Sequence, residues 1–214
     1  MRYPMNIDIS GVKCLVVGGG AVAGRKVEGL LKCGAAVTVV SPRATADIQA
    51  LSHQGRLDWE ARPFRPEDAV GVFLLFAATD DRAANQRAVE AGKRAGALVN
   101  AADDPEGSDF HVPAVIRKGP VTAALSTEGA SPALAAFLRD RVAAALPDGA
   151  DGAAKLLGGL RRLAIEREFE GAPEKMRELL DSGVIEDLAD NNTDAARQKT
   201  DALFWQGAFS DAMK

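Results

Sequence analysis

The chain has 214 residues, a formal charge of −4, 47% hydrophobic and 26% charged residues, which suits one globular domain with an appendage or two small domains. The slightly acidic balance gives no reason to expect a nucleic acid or an anionic membrane surface as partner. Two cysteines, Cys14 and Cys33, fall in apolar segments and read as reduced core residues, and two histidines, His53 and His111, are too few for a histidine-rich metal site, so no resident metal is expected.

Taken in order, residues 12–17 form a short apolar, β-branched run that ends in Gly18-Gly19-Gly20, a buried parallel strand followed by a tight turn. Residues 21–33 place Val22, Ala23, Val27, Leu30 and Leu31 at helical spacing, and Gly34 closes that helix. A second strand is predicted at 36–40, a helix at about 44–54 and a short strand at 57–61. A strongly apolar strand follows at 72–78, a helix at 80–95 carrying Asn85, Val89 and Lys93 at steps of four, and a fifth strand at 97–99. Alternation of strand and helix to about residue 100 predicts an α/β protein with a doubly wound, Rossmann-type parallel sheet. Beyond Asn100, residues 110–116 and 121–126 read as two extended runs joined at Lys118-Gly119-Pro120, a hairpin. Ser131-Pro132 reads as a helix start and Pro147 as its stop. From residue 150 the sequence is helical and charged, with breaks near Pro173, Gly183 and Asn191-Asn192. No apolar run approaches a membrane span, and the N-terminus lacks a signal peptide's basic start and apolar stretch, so a cytoplasmic protein is expected.

Gly18-x-Gly20-x-x-Ala23 follows a strand and opens a helix. In a dinucleotide site the first glycine permits the turn, the second lets backbone approach a pyrophosphate, and the small third residue lets helix and strand pack closely. The helix start offers free amides and the positive dipole end to phosphate. Gly18, Gly19, Gly20, Ala21, Val22 and Ala23 are therefore cofactor-binding candidates. The second strand ends in Ser41-Pro42-Arg43 rather than in Asp or Glu: Ser41 suits a ribose hydroxyl and Arg43 suits a 2′-phosphate, so the residues alone leave NAD and NADP open. At the end of the fourth strand Thr79 is a candidate cofactor contact, and Asp80 is read as the cap of the following helix.

The motifs combine in a distinctive order: Gly18-Gly19-Gly20-Ala21-Val22-Ala23-Gly24-Arg25-Lys26; Ala77-Ala78-Thr79-Asp80 with Asn85; Val99-Asn100-Ala101-Ala102-Asp103; Phe110-His111-Val112-Pro113-Ala114; and Ser126 through Ser131-Pro132. Together they resemble the precorrin-2 dehydrogenase family, over about residues 5–205. The resemblance implies NAD-dependent oxidation of precorrin-2 to sirohydrochlorin on the route to siroheme, and NAD rather than NADP as cofactor. It also implies a Rossmann domain (1–109), a dimerisation region of hairpin plus helix (110–147) that forms a homodimer, and a helical C-terminal region (148–214). Some members also insert ferrous iron into sirohydrochlorin, and the residues leave that second activity open. No counterpart of the methyltransferase region of fused siroheme synthases is present, so the chain is not expected to make precorrin-2.

Oxidation of precorrin-2 removes a hydride and a proton, so the protein must hold two ligands and move one proton. By the resemblance Asp103 is the catalytic candidate, in a position suited to a general base, while Asp104 reads as turn chemistry beside Pro105. The substrate carries many carboxylates, which calls for cations and amides. Arg25, Lys26, Arg117, His111 and the small-residue loop with Ser126, Thr127 and Ser131 are the substrate-binding candidates, with Lys118, Arg139 and Arg141 as further basic residues. The competing class is a non-catalytic dinucleotide redox sensor, which would need neither Asp103 nor a cationic substrate surface.

Overall fold

The computed structural model describes residues 2–214, and these fall into two compact units, one ending at Val112 and the other spanning Pro113–Lys214. In the first, β1 (Lys13–Val17), β2 (Ala36–Val40), β3 (Asp58–Glu60), β4 (Leu74–Ala77) and β5 (Leu98–Ala101) form one sheet in the order β3-β2-β1-β4-β5. Every neighbouring pair in it is parallel. The Rossmann-type sheet expected from strand–helix alternation is therefore present. Helices α1 (Ala21–Lys32), α2 (Ala46–His53) and α3 (Arg82–Arg94) and a 3₁₀ turn at Pro66–Ala69 complete the unit.

Side-chain alternation on the central strand divides the core. Cys14 and Val16 of β1 point to one side with Ala23, Val27 and Leu30 of α1 and Ile48 of α2. Leu15 and Val17 point to the other, with Ala88 and Ala91 of α3 and Ala69 of the 3₁₀ turn. Burial on both faces explains why β1 and β4 read as unbroken apolar runs. Burial also pushes the Cys14 thiol up to about 11, so it is an inert core group. Neither cysteine is in a disulfide.

Three differences from the sequence reading bear on the strand ends and the loops after them. β5 continues through Asn100 and Ala101, which pair in register with Phe76 and Ala77. Tertiary partners extend it: the Ala101 N–H donates to Ser108 Oγ, and the Asn100 amide donates to the Phe110 carbonyl. The cap of α3 is Asp81, whose carboxylate accepts the Ala83 and Ala84 N–H groups, and not Asp80. Residues 110–113 are not strand, because the hairpin begins only at Ala114.

The 3₁₀ turn is fixed by a forked pair. Arg62 donates through both terminal nitrogens to Asp68 at 2.8 Å, and the Arg65 N–H adds a third bond at 2.8 Å. Chiefly through the Arg62 bonds, the Asp68 carboxyl is held below the usual carboxylate range. A carboxyl whose pKa is lower folded than unfolded stabilises the fold above its unfolded pKa, and that contribution is lost as pH falls through the folded value. Asp68→Asn should therefore lower the unfolding free energy at neutral pH, by about 1 kcal/mol once solvent screening of the pair is allowed for. In urea unfolding the gap to wild type should close in acid.

The second unit holds the hairpin β6 (Ala114–Lys118) and β7 (Val121–Leu125), then α4 (Pro132–Ala145), α5 (Ala150–Glu166), α6 (Ala172–Asp181), α7 (Val184–Ala189), α8 (Thr193–Leu203) and α9 (Ala208–Ala212). Ser131 caps α4 by accepting the Leu134 N–H at 3.1 Å, with Pro132 at the first helical position, as the sequence predicts. Leu156, Leu160, Leu179, Val184, Ala196 and Phe209 form a separate helical core. A break between α8 and α9 was not foreseen. There Asp201 accepts the Gly207 and Phe209 N–H groups at 3.0 Å, while Phe204 stacks on Phe169. Among the described residues no helix is long and apolar enough to cross a membrane.

Candidate functional site

The order of the sheet reverses at β1, so the loops after β1 and β4 diverge from adjacent strand ends, where ligands of such sheets bind. The loop after β1 is the glycine turn. Gly18 has φ +124°, and a Cβ there would lie 2.3 Å from the Ala78 carbonyl oxygen. A Cβ on Gly19 would lie 2.1 Å from the Arg43 carbonyl oxygen. These two glycines let the turn pass between the loops that follow β4 and β2. Gly20 is different: a Cβ there would meet no atom within 4 Å, so its Cα faces open space. Gly20 is also the cap position of α1, offers no side chain to the first-turn amides, and is followed by no acidic residue in that turn. An uncapped helix start, free of negative charge and open at Gly20, fits a pyrophosphate. Ala23, fully buried, closes the helix onto the sheet, while Ala21 and Val22 are exposed at the helix start.

At the end of β2 the Ser41 hydroxyl donates to the Arg43 carbonyl at 2.7 Å, so toward a ribose it acts as an acceptor. The Arg43 side chain is exposed. After β4, Thr79 is tied to its own loop: its N–H and hydroxyl meet Asn85 Oδ1 at 3.0 and 2.7 Å, and its Oγ1 accepts the Asp81 N–H at 3.2 Å.

Asp103 lies two residues beyond β5, exposed, with Oδ1 accepting from Asn85 Nδ2 at 3.0 Å. The glycine turn, Thr79 and Asp103 thus all sit at the carboxyl ends of the parallel strands. Asp104 closes the next turn, its Oδ1 accepting the Gly107 N–H at 2.9 Å and its carbonyl accepting from the Ser108 hydroxyl. His111, expected within a strand, sits in the irregular segment after β5, and its Nε2 lies 3.1 Å from the Pro105 carbonyl oxygen on the same loop as Asp103. Asn85, read in the sequence as a position along a helix face and as part of the motif after β4 but not as a site residue, joins the loops after β4 and β5. The signal that could have found it is a polar residue at a helix position that faces the core.

Of the basic candidates, Arg25 is exposed, whereas Lys26 is half-buried with its ammonium 5.6 Å from the Phe76 ring centre. Burial pulls the Lys26 ammonium below the usual lysine range, and Arg25 adds to the pull. Phe76 in turn meets Phe110 edge to face at 5.3 Å. The remaining candidates belong to the second unit. Arg117 is exposed on β6. Lys118 is committed to Asp148 at 2.7 Å and the Pro147 carbonyl, Arg139 pairs with Asp140, and Arg141 lies over the Phe137 ring. In the loop before α4, Ser126 Oγ accepts the Glu128 N–H, the Thr127 hydroxyl bridges the Ser131 N–H and carbonyl, and Ser131 caps the helix. The loop hydroxyls thus have local partners. Among the described residues no group of three or more His, Cys, Asp or Glu side chains is placed to hold a metal ion.

The sequence is similar to siroheme synthase 1 of Aeromonas salmonicida, 37% identical over 194 residues that make up 89% of this chain and 41% of that protein. It is 42% identical over 171 residues to a siroheme synthase of Methylococcus capsulatus, covering 80% of this chain and 35% of that one. The chain therefore spans well under half the length of these relatives. Among solved structures, SirC, a precorrin-2 dehydrogenase, superposes with a TM-score of 0.74 and 28% identity, covering 94% of this chain and 98% of that one. Residues 5–114, just over half of the chain, match the family described as putative NAD(P)-binding. The open glycine turn, the uncapped helix start behind it and this match lead to one conclusion: the chain belongs to the putative NAD(P)-binding family.

Proposed function

We propose that the protein is an NAD-dependent precorrin-2 dehydrogenase that forms sirohydrochlorin in siroheme synthesis. The observation that carries the reading is the likeness to a precorrin-2 dehydrogenase along nearly the whole of both chains. The arrangement of the first unit supports it. The turn at Gly18, Gly19 and Gly20 with the start of α1 would hold the pyrophosphate, and Ser41 and Thr79 stand at the neighbouring strand ends. Bound NAD supplies the hydride acceptor. The protein must then take up the proton that leaves the macrocycle with the hydride, and Asp103 is the carboxylate at the strand ends suited to accept it. Arg25 and Lys26 at the start of α1, His111, and on the second unit Arg117 and the loop of Ser126, Thr127 and Ser131 are the groups suited to the substrate carboxylates. Lys26 has no carboxylate partner among the described residues, and a half-buried cation in that condition favours an anionic ligand.

Anaerobic incubation with precorrin-2 and NAD, followed through the sirohydrochlorin spectrum, tests the reading. NAD should turn over better than NADP. A protein that binds the dinucleotide yet forms no sirohydrochlorin would overturn it. The same assay with ferrous iron reads any chelation directly.

The chain should act as a homodimer in the cytoplasm. Leu134, Phe137 and Leu138 of α4 are spaced to share one helix face and are 47%, 58% and 38% exposed. That is a larger apolar surface than a solvated helix face normally carries. Light scattering at micromolar concentration should give twice the chain mass for wild type and the single mass for Phe137→Glu.

A further inference from the structure

Asp103 lies on an exposed loop, yet the side chain that reaches it comes from a buried position. Asn85, in α3, is 2% exposed. A carboxamide has two N–H donors and an oxygen that accepts two bonds, and at Asn85 all four have a partner within reach. Oδ1 accepts the Thr79 N–H at 3.0 Å and lies 2.7 Å from the Thr79 hydroxyl, whose one proton also has the Asp81 carbonyl within reach at 2.9 Å, while Nδ2 donates to the Thr79 carbonyl at 3.1 Å and to Asp103 Oδ1 at 3.0 Å. The two Thr79 backbone bonds settle which end of the amide is which. A flipped amide would set Nδ2 against the Thr79 N–H and Oδ1 against the Thr79 carbonyl. The end that faces Asp103 is therefore a donor.

The geometry points to Asn85 as a positioning residue that fixes the direction of the Asp103 carboxylate; its catalytic significance rests on the reading of Asp103 as proton acceptor. The anchor is firm, because Thr79 lies two residues past the end of β4 and α3 is capped by Asp81. The Asp103 backbone is steadied nearby by the Ala102 N–H, which donates to the Ala77 carbonyl at 2.9 Å. Its side chain bonds to Asn85 through Oδ1, which leaves Oδ2 for another partner. An exposed carboxylate without that bond would spread over several rotamers. A proton acceptor must stay within hydrogen-bond reach of the atom it deprotonates. The position calls for an amide for a second reason. A carboxylate at 85 would face Asp103 charge to charge, and an apolar residue would leave the Thr79 N–H without its partner.

Asn85→Ser replaces the carboxamide with a shorter hydroxyl that no longer reaches Asp103. It should lower kcat for precorrin-2 oxidation by roughly a hundredfold while dinucleotide affinity stays near wild type. Asn85→Asp should lose kcat similarly and also displace the pH–activity profile toward higher pH, since two facing carboxylates share a proton. A purely structural part would not move that profile. Melting temperatures of wild type, Asn85→Asp, Asp103→Asn and the double variant give a readout without turnover. The double variant restores an amide–carboxylate pair with its ends exchanged, so its loss should be smaller than the sum of the single losses. Additive losses, or wild-type kcat in Asn85→Ser, would overturn the proposal. Should wild type fail to oxidise precorrin-2, the functional reading falls, and the melting cycle alone decides whether Asn85 holds Asp103.

Discussion

Asp103→Ala is expected to lower precorrin-2 oxidation by about 10²–10⁴-fold, the usual contribution of a positioned general base. Dinucleotide affinity should stay close to wild type, because Asp103 follows β5 whereas the phosphate turn follows β1. The carboxylate is exposed and bonded through one oxygen to Asn85, so its loss removes the proposed proton acceptor without opening the core. Asp104→Ala is the matched control. That side chain accepts the Gly107 N–H and closes the turn, so its removal should soften the loop and leave turnover within a few-fold of wild type. Steady-state rates under anaerobic conditions, with dinucleotide titrations of each variant, separate the two effects. Equal and mild losses in both variants would make the pair a structural turn.

Most of the first unit was legible because its signals are local. β1, β2 and β4 are short segments rich in apolar residues, and Gly34 with φ +73° ends α1 where the sequence places the stop. What was missed depends on partners far along the chain. Asn100 looks like the end of a strand, yet β5 is carried through it by pairing with β4 and by Ser108 and Phe110. Asp80 and Asp81 are equal in propensity for a helix cap. Helix phase decides between them, since only Asp81 accepts the Ala83 and Ala84 amides. Residues 110–113 have strand-like composition but lack a strand partner, and His111 falls among them. The site was legible unevenly. The glycine turn is a local motif with a physical reason at each position, whereas Asp103 emerged through resemblance and its link to Asn85 spans 18 residues. No pattern of composition or spacing reports a bond of that kind. The available cue was a polar side chain at a helix position whose neighbours Ala88 and Ala91 are buried.

Gly20→Asp should abolish dinucleotide binding while leaving the fold as stable as wild type or slightly more so. Two neighbouring glycines show why the outcome is specific to this position. A side chain at Gly18 or Gly19 would strike backbone oxygen at 2.3 or 2.1 Å, so substitutions there disturb the turn itself. At Gly20 the space is open, and the backbone, with φ −83°, is extended in a manner any residue adopts. Aspartate is moreover a preferred helix cap. It can accept the first-turn amides of α1 and place its charge at the positive end of the helix, a gain of a few tenths to about 1 kcal/mol. Those amides are the groups a pyrophosphate would use. The variant therefore replaces the ligand's contacts with its own carboxylate and adds like-charge repulsion of about 4 kcal/mol at ~4 Å and an effective dielectric near 20. Together these predict an affinity lower by about 10³-fold or more. Tryptophan fluorescence titration with NAD and a thermal melt, run on the same preparation, give the two numbers. A loss of affinity with the melting temperature held or raised is the expected pair. Retained affinity would place the phosphates away from α1, and a large fall in melting temperature would mean that Gly20 is confined by packing like its neighbours.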